Sequence, residues 1–226
     1  MYFAYDEGAV AYLARRDKRL GEVMERLGPL RREVMPDLFA ALVHAIVGQQ
    51  VSMTVQRTLW QRLCAALGAV TPAAVLSAEP EGLRALGLSG RKVEYVREAA
   101  QAVADGRLDV EALRGMDDAA VCAVLVELRG VGVWTAEMLL LFSLQRQDVF
   151  SFDDLAIRRG LRMLYRHRHI DRERFERYRR RFSPYGSVAS LYLWAVAGGA
   201  LPELRDPAEA ERGGKRGDTG KKARSA

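Results

Sequence analysis

The sequence predicts an all-α protein. Apolar residues recur at helical spacing along most of the chain, and no segment has the strict two-residue alternation of a half-buried strand. Proline, glycine, serine and aspartate separate the apolar stripes, as they do at helix caps and tight turns. We therefore expect short helices that are joined by short loops.

The stripes predict where most of these helices lie. One stripe covers residues 38–47 and stops at Gly48, and a second covers residues 51–67 and stops at Gly68. Short polar residues or prolines then precede each following stripe, which is typical of helix starts. The later helices are expected to begin at or near Thr71, Glu79, Arg91, Asp117, Val133, Asp154, Asp171 and Pro184.

The composition indicates a soluble protein with a basic bias. A chain of 226 residues is long enough for one substantial domain or for two small lobes. Its formal net charge of +6 suits a polyanionic partner, although a basic protein without such a partner fits the charge equally well. The first residues lack the pattern of a signal peptide, and no apolar stretch is long enough to span a bilayer. A cytoplasmic protein without membrane partners is therefore expected.

The composition changes at Asp206. Residues 206–226 contain no large apolar side chain and are rich in glycine, lysine, arginine, alanine and serine. Such a segment cannot bury enough apolar surface to fold. We therefore assign residues 1–205 to the folded domain and residues 206–226 to a basic disordered tail.

Metal-binding side chains are sparse. Cys64 and Cys122 are the two cysteines, too few for a disulfide framework or an iron–sulfur cluster. His167 and His169 stand two residues apart, without the cysteines or clustered carboxylates that a zinc site needs. No cofactor that is held by side chains is expected.

The most informative segment joins two predicted helices at residues 128–136, Leu-Arg-Gly-Val-Gly-Val-Trp-Thr-Ala. Glycine at 130 and 132 permits positive φ and the close approach of another backbone. The amides that open the second helix lack intrahelical acceptors, so they can hold a phosphate. The expected phosphate-binding residues are Gly130, Gly132, Val133 and Thr135. The alternative is a tight turn whose glycines serve packing alone.

This segment resembles the signature of the helix-hairpin-helix (HhH-GPD) DNA glycosylase superfamily, Leu-x-Gly-Val-Gly-x-x-Thr-Ala. Residues 148–154, Asp-Val-Phe-Ser-Phe-Asp-Asp, resemble its 3-methyladenine DNA glycosylase II (AlkA-type) branch. Residues 48–52 and 88–92 extend the resemblance, which covers most of residues 35–200. It implies a two-lobed helix-hairpin-helix glycosylase fold, with the active-site cleft between the lobes.

The resemblance also implies a catalytic aspartate where the next helix opens, and Asp153 and Asp154 both stand there. In the family an apolar residue follows the catalyst at the third position, which is Ile157 for Asp154 but Ala156 for Asp153. Asp154 is therefore assigned as the catalyst, and Asp153 as a supporting or capping carboxylate. Either residue could instead be an ordinary helix cap. A fixed carboxylate stabilises the positive charge that develops on the sugar when an N-glycosidic bond breaks.

The resemblance places Trp134 and Tyr185 in the base pocket, with Met138 where the branch often has a tyrosine. Aromatic faces attract cationic alkylated purines. Bifunctional relatives have a lysine where this chain has Trp134, so we expect a monofunctional enzyme that leaves an abasic site. Alternatively, Trp134 is a core residue, and Tyr185, beside Pro184, is a hydrophobic staple at the start of its helix.

Two further expectations follow from the resemblance. Gln49 and Gln50 would fill the gap that a flipped nucleotide leaves in the duplex, although a plain polar turn fits them as well. A structural Na⁺ or K⁺ would bridge the hairpin to a DNA phosphate through the carbonyls of Val126, Leu128 and Val131.

The predicted function is base-excision repair of double-stranded DNA by a monomer, which removes 3-methyladenine and similar alkylated bases. One alternative is a non-catalytic hairpin protein that binds DNA; the spacing of Trp134 and Asp154 disfavours it. Another is a glycosylase for oxidised or mismatched bases, which the missing lysine and cysteine cluster disfavour. Eight arginines and three acids within residues 165–181 form either a phosphate-facing surface or a solvated helix with internal ion pairs.

Overall fold

The computed structural model describes residues 1–208 and, within that range, contains helices but no β-strand. Its one isolated antiparallel bridge joins Tyr2 to Glu33. The all-α prediction is confirmed. The helices are α1 (Glu7–Arg16), α2 (Lys18–Leu27), α3 (Leu38–Gly48), α4 (Met53–Leu67), α5 (Pro72–Ser77), α6 (Pro80–Ala85), α7 (Gly90–Ala104), α8 (Asp118–Val126), α9 (Val133–Phe142), α10 (Leu155–Tyr165), α11 (Arg172–Phe182) and α12 (Gly186–Ala197), with a 3₁₀ turn at Ala112–Gly115.

Side-chain caps start most of these helices. Thr71, Asp117 and Asp171 each accept a hydrogen bond from the amide three residues later, and they open α5, α8 and α11 where the sequence predicted helix starts. Asp6 and Asp17 cap α1 and α2 in the same way. These two helices precede the first one that the apolar stripes predicted.

The chain divides into two compact units. Unit 1 contains residues 1–3 and 33–146, and therefore α3 to α9. The described part of unit 2 contains residues 4–32 and 147–208, and therefore α1, α2 and α10 to α12. The division into two units agrees with a two-lobed fold, while the cleft between the lobes stays a prediction.

Each unit has its own apolar core. Burying one such side chain contributes about 1.5–3 kcal/mol relative to leaving it exposed. Fully buried side chains include Leu42, Ile46, Leu63 and Leu125 in unit 1, and Leu13, Leu20, Phe175, Phe182 and Tyr192 in unit 2. Across residues 1–208, none of the helices combines the length and the apolar character that crossing a membrane requires.

A glycine brings α10 and α12 of unit 2 into close contact. A Cβ atom added at Gly160 would lie 2.4 Å from the carbonyl oxygen of Leu193, a distance that real Cβ atoms do not adopt. Glycine costs an α-helix about 0.8–1 kcal/mol relative to alanine. Close packing of the two backbones offsets this cost and sets which residues of α12 lie beside the start of α10.

The predicted start of the disordered tail, Asp206, is wrong by at least three residues. Asp206 is 5% exposed, and its carboxylate accepts a 2.9 Å hydrogen bond from Nε of Arg162. This bond to Arg162 lowers the pKa of Asp206. An acid that is buried by an ion pair leaves no apolar signal in the sequence, which explains the error. The rest of the predicted tail, residues 209–226, lies outside the described residues.

Candidate active site

The hairpin of unit 1 lies between α8 and α9, and only one of its two glycines is required by geometry. Gly130 has φ +83°, and a Cβ atom there would lie 2.1 Å from Cδ2 of the Tyr95 ring. Gly132 has φ −95° and open space around its missing Cβ. Positive φ and a close neighbour, which glycine permits at both positions, are therefore found at Gly130 and not at Gly132.

The start of α9 presents backbone amides without a side-chain cap. Gly132 occupies the N-cap position and, having no side chain, provides no oxygen for the first amides of the helix. Gly132 and Val133 are both exposed, so this end of the helix can receive an anion from solvent. Thr135 is only 4% exposed and belongs to the core of unit 1. Its predicted contact with phosphate stays a prediction.

The two glutamines after α3 have different environments. Gln49 ends α3, and its Nε2 donates a 2.7 Å hydrogen bond to the carbonyl of Gly130. This bond ties the turn after α3 to the hairpin. Gln50 is exposed and has φ +56°. Both residues were predicted to enter the duplex. Gln50 is exposed and could do so, whereas the side chain of Gln49 is already bonded to the hairpin.

A lysine provides a second support at the end of α3. Ser89 caps α7, and Nζ of Lys92 donates a 2.7 Å hydrogen bond to the carbonyl of Val47. Burial lowers the pKa of Lys92. Residues 48–52 and 88–92, which carried part of the family resemblance, thus lie around the same end of α3.

Trp134 and Met138 lie one helical turn apart on α9 and share a face of that helix. Trp134 is 42% exposed and Met138 is half-buried. A large aromatic ring that is this accessible disagrees with the alternative in which Trp134 is a core residue. This exposure is compatible with the base-pocket role of Trp134, which stays a prediction.

Asp154 is the N-cap of α10 in unit 2 and is 6% exposed. Its Oδ1 accepts a 2.8 Å hydrogen bond from the amide of Ile157 and a 3.1 Å bond from Nε1 of Trp194. Two donors from different helices fix the orientation of the carboxylate, and the helix N-terminus favours its negative charge. The site therefore holds a preorganised carboxylate.

Asp153 does not cap α10. Its side chain is exposed, and within residues 1–208 it makes no hydrogen bond or ion pair. The capping role proposed for it is wrong, because the backbone enters the helix one residue later, at Asp154. The structure gives Asp153 no contact through which it would support Asp154.

Trp194, which donates to the candidate carboxylate, was missed by sequence analysis. It lies on α12, next to the Leu193 carbonyl that faces Gly160. The guanidinium of Arg32 also lies 5.8 Å from the centre of the Trp194 ring. The one available signal was a glycine within the otherwise regular helical pattern of α10, which indicates close approach of a neighbouring backbone.

Tyr185 is half-buried and held by a network around the start of α12. Asp148 accepts hydrogen bonds from the amide of Gly186 at 3.0 Å and from the hydroxyl of Ser183 at 2.6 Å, and so replaces the missing side-chain cap. The Tyr185 ring packs edge-on against Tyr12, with 5.3 Å between their centroids. This packing fits the structural alternative, and the base-pocket role of Tyr185 stays a prediction.

The monovalent cation that the family resemblance implies at the hairpin stays a prediction, and two of the three carbonyls retain unused acceptor capacity. Val126 ends α8, so its carbonyl belongs to the last turn, where helix carbonyls lack intrahelical partners. The Leu128 carbonyl accepts one hydrogen bond, from the amide of Val131, and retains a second lone pair. Residues 1–208 contain no cluster of three or more His, Cys, Asp or Glu side chains that could hold a metal.

Comparison with known proteins identifies the family. The model of the HhH-GPD superfamily, described as base excision DNA repair proteins, matches residues 43–184. The chain belongs to this superfamily. The matched range includes the hairpin, Trp134 and Asp154, so the features described above lie within the part of the chain that defines the superfamily.

Several relatives of this chain are named 3-methyladenine glycosylases. The chain is 29% identical to DNA-3-methyladenine glycosylase 1 of Schizosaccharomyces pombe over 185 residues, which cover 80% of this chain and 81% of the relative. A crystal structure of a DNA-3-methyladenine glycosidase from Bacillus halodurans has 34% identity and a TM-score of 0.79, and the alignment covers 94% of this chain and 99% of the other. A 3-methyladenine DNA glycosylase from S. pombe, solved in complex with abasic DNA, has 26% identity and a TM-score of 0.78, with 88% and 99% of the chains covered.

Proposed function

We propose that this protein hydrolyses the N-glycosidic bond of alkylated bases in double-stranded DNA, chiefly 3-methyladenine and similar purines, and leaves an intact abasic site. The observation that carries the proposal is the buried Asp154 carboxylate, which Ile157 and Trp194 orient at the start of α10. The names of the relatives support the same substrate class, and the S. pombe structure contains the abasic DNA that such a reaction would produce.

The carboxylate suits this reaction because of where charge develops. As the bond between C1′ and the base nitrogen lengthens, the sugar acquires oxocarbenium character. A carboxylate that is already oriented stabilises this charge without reorganising during the reaction. The bonds from Ile157 and Trp194 both reach Oδ1 of Asp154, so this oxygen is held before substrate arrives.

The overall reaction balances with water as the only co-reactant. The oxygen of water forms a bond to C1′, and the base leaves with the electron pair of the N-glycosidic bond. The proton released by water passes to Asp154 or to solvent. A purine alkylated on its ring nitrogen carries positive charge and leaves as a neutral base, so no acid is needed to protonate it.

The exposed indole of Trp134 supports the preference for alkylated bases. A flipped cationic base gains both stacking and cation–π attraction on an electron-rich ring. Met138, one turn along α9, is flexible and polarizable, and it adapts to bases of different shape. We infer a lesion range that is broader than a pocket with a second ring would allow.

The positions of the lysines support a monofunctional reaction. A lyase step needs an amine that attacks the sugar, and residues 1–208 contain only Lys18 and Lys92. Lys92 donates to the carbonyl of Val47, and Lys18 opens α2 of unit 2. Trp134 occupies the position at which the resemblance implies a lysine in bifunctional relatives.

The hairpin supports phosphate binding in the same proposal. The exposed amides at Gly132 and Val133 would hold one phosphate of the damaged strand. A Na⁺ or K⁺ held by the carbonyls of Val126, Leu128 and Val131 would supply positive charge for a neighbouring phosphate. The enzyme would act as a monomer, because one chain carries both the hairpin and the carboxylate. Its substrate would be chromosomal DNA in the cytoplasm.

The test is base release from a methylated duplex, with strand breaks scored before and after alkali. We expect release of 3-methyladenine and breaks that appear only after alkali treatment. An unmethylated duplex of the same sequence is the control and should release no base. Strand breaks without alkali would contradict the monofunctional assignment, and the absence of release despite DNA binding would contradict the proposed substrate.

Trp194→Phe tests the orientation of Asp154. This change keeps an aromatic ring but removes the indole donor, and a hydrogen bond to a charged group contributes about 1.5–3 kcal/mol. We expect single-turnover base release to fall about tenfold or more, while the affinity for DNA stays unchanged. In Trp194→Phe/Asp154→Asn the loss should be no larger than in Asp154→Asn alone. Additive losses would show that Trp194 acts independently of Asp154.

A further inference from the structure

A cleft in unit 2 is lined entirely by arginine. It has a volume of about 530 Å³ and is formed by Arg15 and Arg16 from the end of α1, with Arg177, Arg180 and Arg181 from α11. The three residues of α11 are spaced i, i+3 and i+4, so they share one face of the helix. Nε of Arg16 donates to the carbonyl of Arg181 at 3.4 Å, which joins the two helix ends.

The acids near this cleft neutralise only part of its charge. Asp17 pairs with Arg181 at 2.7 Å, and Glu173 pairs with Arg177 at 3.5 Å between two exposed side chains. Within residues 1–208, Arg15 and Arg180 have no carboxylate partner. The arginine-rich segment is therefore not explained by internal ion pairs alone.

The helix ends stabilise the clustered positive charges but do not neutralise them. Arg15 and Arg16 lie in the last turn of α1, and Arg180 and Arg181 lie in the last turn of α11, where the helix dipole favours cations by about 0.3–1 kcal/mol each. The positive field extends to His167, whose pKa is lowered first by burial and then by Arg174, Arg19 and Arg177. An anion that enters the cleft is therefore attracted by the positive charge of these arginines.

We propose that the arginine cleft between α1 and α11 binds the phosphodiester backbone of DNA, as a surface separate from the hairpin and from Asp154. Guanidinium groups match phosphate oxygens with two parallel hydrogen bonds, which makes arginine the preferred residue for such contacts. The cleft has no apolar residue in its lining, whereas a protein-docking surface needs an apolar centre. Double-stranded DNA is the polyanion that we expect here, because the chain belongs to a superfamily of DNA repair proteins.

The location supports a contact away from the reacting nucleotide. A neighbouring cleft shares Arg16 and Arg181 and reaches Tyr165, the last residue of α10. Asp154 caps the opposite end of α10, and this helix of 11 residues is about 16 Å long. The cleft would therefore hold DNA without taking part in bond cleavage.

The experiment measures the affinity of the full chain for an undamaged duplex of about 30 base pairs, three helical turns, over a range of salt concentrations. The test variant is Arg15→Gln/Arg180→Gln, and the charge-matched control is Arg107→Gln/Arg205→Gln, at exposed sites outside helices. Loss of two phosphate contacts should reduce the slope of log K against log salt by about two and weaken binding about tenfold at moderate salt. Arg15→Lys/Arg180→Lys should retain most of the slope.

The readouts separate this proposal from the proposed function. Base release by saturating enzyme should be equal in the test variant and the wild type, and binding of undamaged DNA does not depend on lesion specificity. Equal slopes for the test and control variants, at unchanged melting temperature, would overturn the proposal. If the test variant loses affinity for polyglutamate but not for DNA, the cleft serves an acidic protein instead.

Discussion

Asp154→Asn is expected to lower the single-turnover rate of 3-methyladenine release about 10²–10³-fold, or roughly 3–4 kcal/mol in the activation free energy. The substitution replaces a charged oxygen with a neutral group of the same shape, so the developing charge on the sugar loses its counter-ion. Asparagine caps helices about as well as aspartate, so the fold should persist. The rate is measured with enzyme in excess over a methylated duplex, and binding is measured separately.

The matched control is Asp171→Asn. Asp171 caps α11 in the same unit and accepts a 2.8 Å hydrogen bond from the amide of Arg174, but it is exposed. We expect this variant to release base at the wild-type rate. Asp153→Asn should also retain the rate, since Asp153 does not cap α10. Equal rates for the Asp154 variant and the wild type would remove Asp154 from the mechanism.

Gly160→Ala is expected to destabilise unit 2 by about 2–4 kcal/mol, more than most substitutions that add one methyl group to a core. The added carbon would lie 2.4 Å from a backbone carbonyl, and backbone cannot yield as a flexible side chain can. Relief requires α10 and α12 to separate, which also moves Trp194 away from Asp154. Both the denaturation midpoint and the rate of base release should fall.

Gly82→Ala makes the same chemical change but is expected to raise stability. Gly82 lies within α6, and nothing lies within 4 Å of its missing Cβ. Alanine there removes the backbone entropy cost of glycine, so stability should rise by about 0.4–1 kcal/mol. A similar loss of stability in both variants, measured by urea denaturation, would show that packing between α10 and α12 is not the cause.

The local part of the fold could be predicted from the sequence. Caps such as Asp117 and Asp171, and glycine stops such as Gly48, act within a few residues of where they stand, so their effects are legible in sequence. The joining of residues 4–32 with residues 147–208 depends on packing between distant segments. No short-range pattern encodes it, and α1 and α2 were accordingly not predicted individually.

The same distinction applies to the candidate site. The sequence motif located the hairpin and Asp154, because each depends on adjacent residues. The different environments of Gln49 and Gln50 depend on where Gly130 lies across unit 1. The contact of Trp194 depends on the packing of two helices. Sequence therefore identified the candidate carboxylate, Asp154, but not the residues that orient it or support the hairpin.

The discontinuous composition of unit 2 affects how the protein is made. Residues 33–146 of unit 1 emerge from the ribosome as one stretch. The apolar side chains of α1 and α2 are buried only after α12 has been synthesised. At 5–20 residues per second, that wait lasts roughly ten to thirty seconds. A chain that terminated after residue 146 would contain the hairpin but neither Asp154 nor its donors. Translation therefore completes the hairpin well before the helix that Asp154 caps.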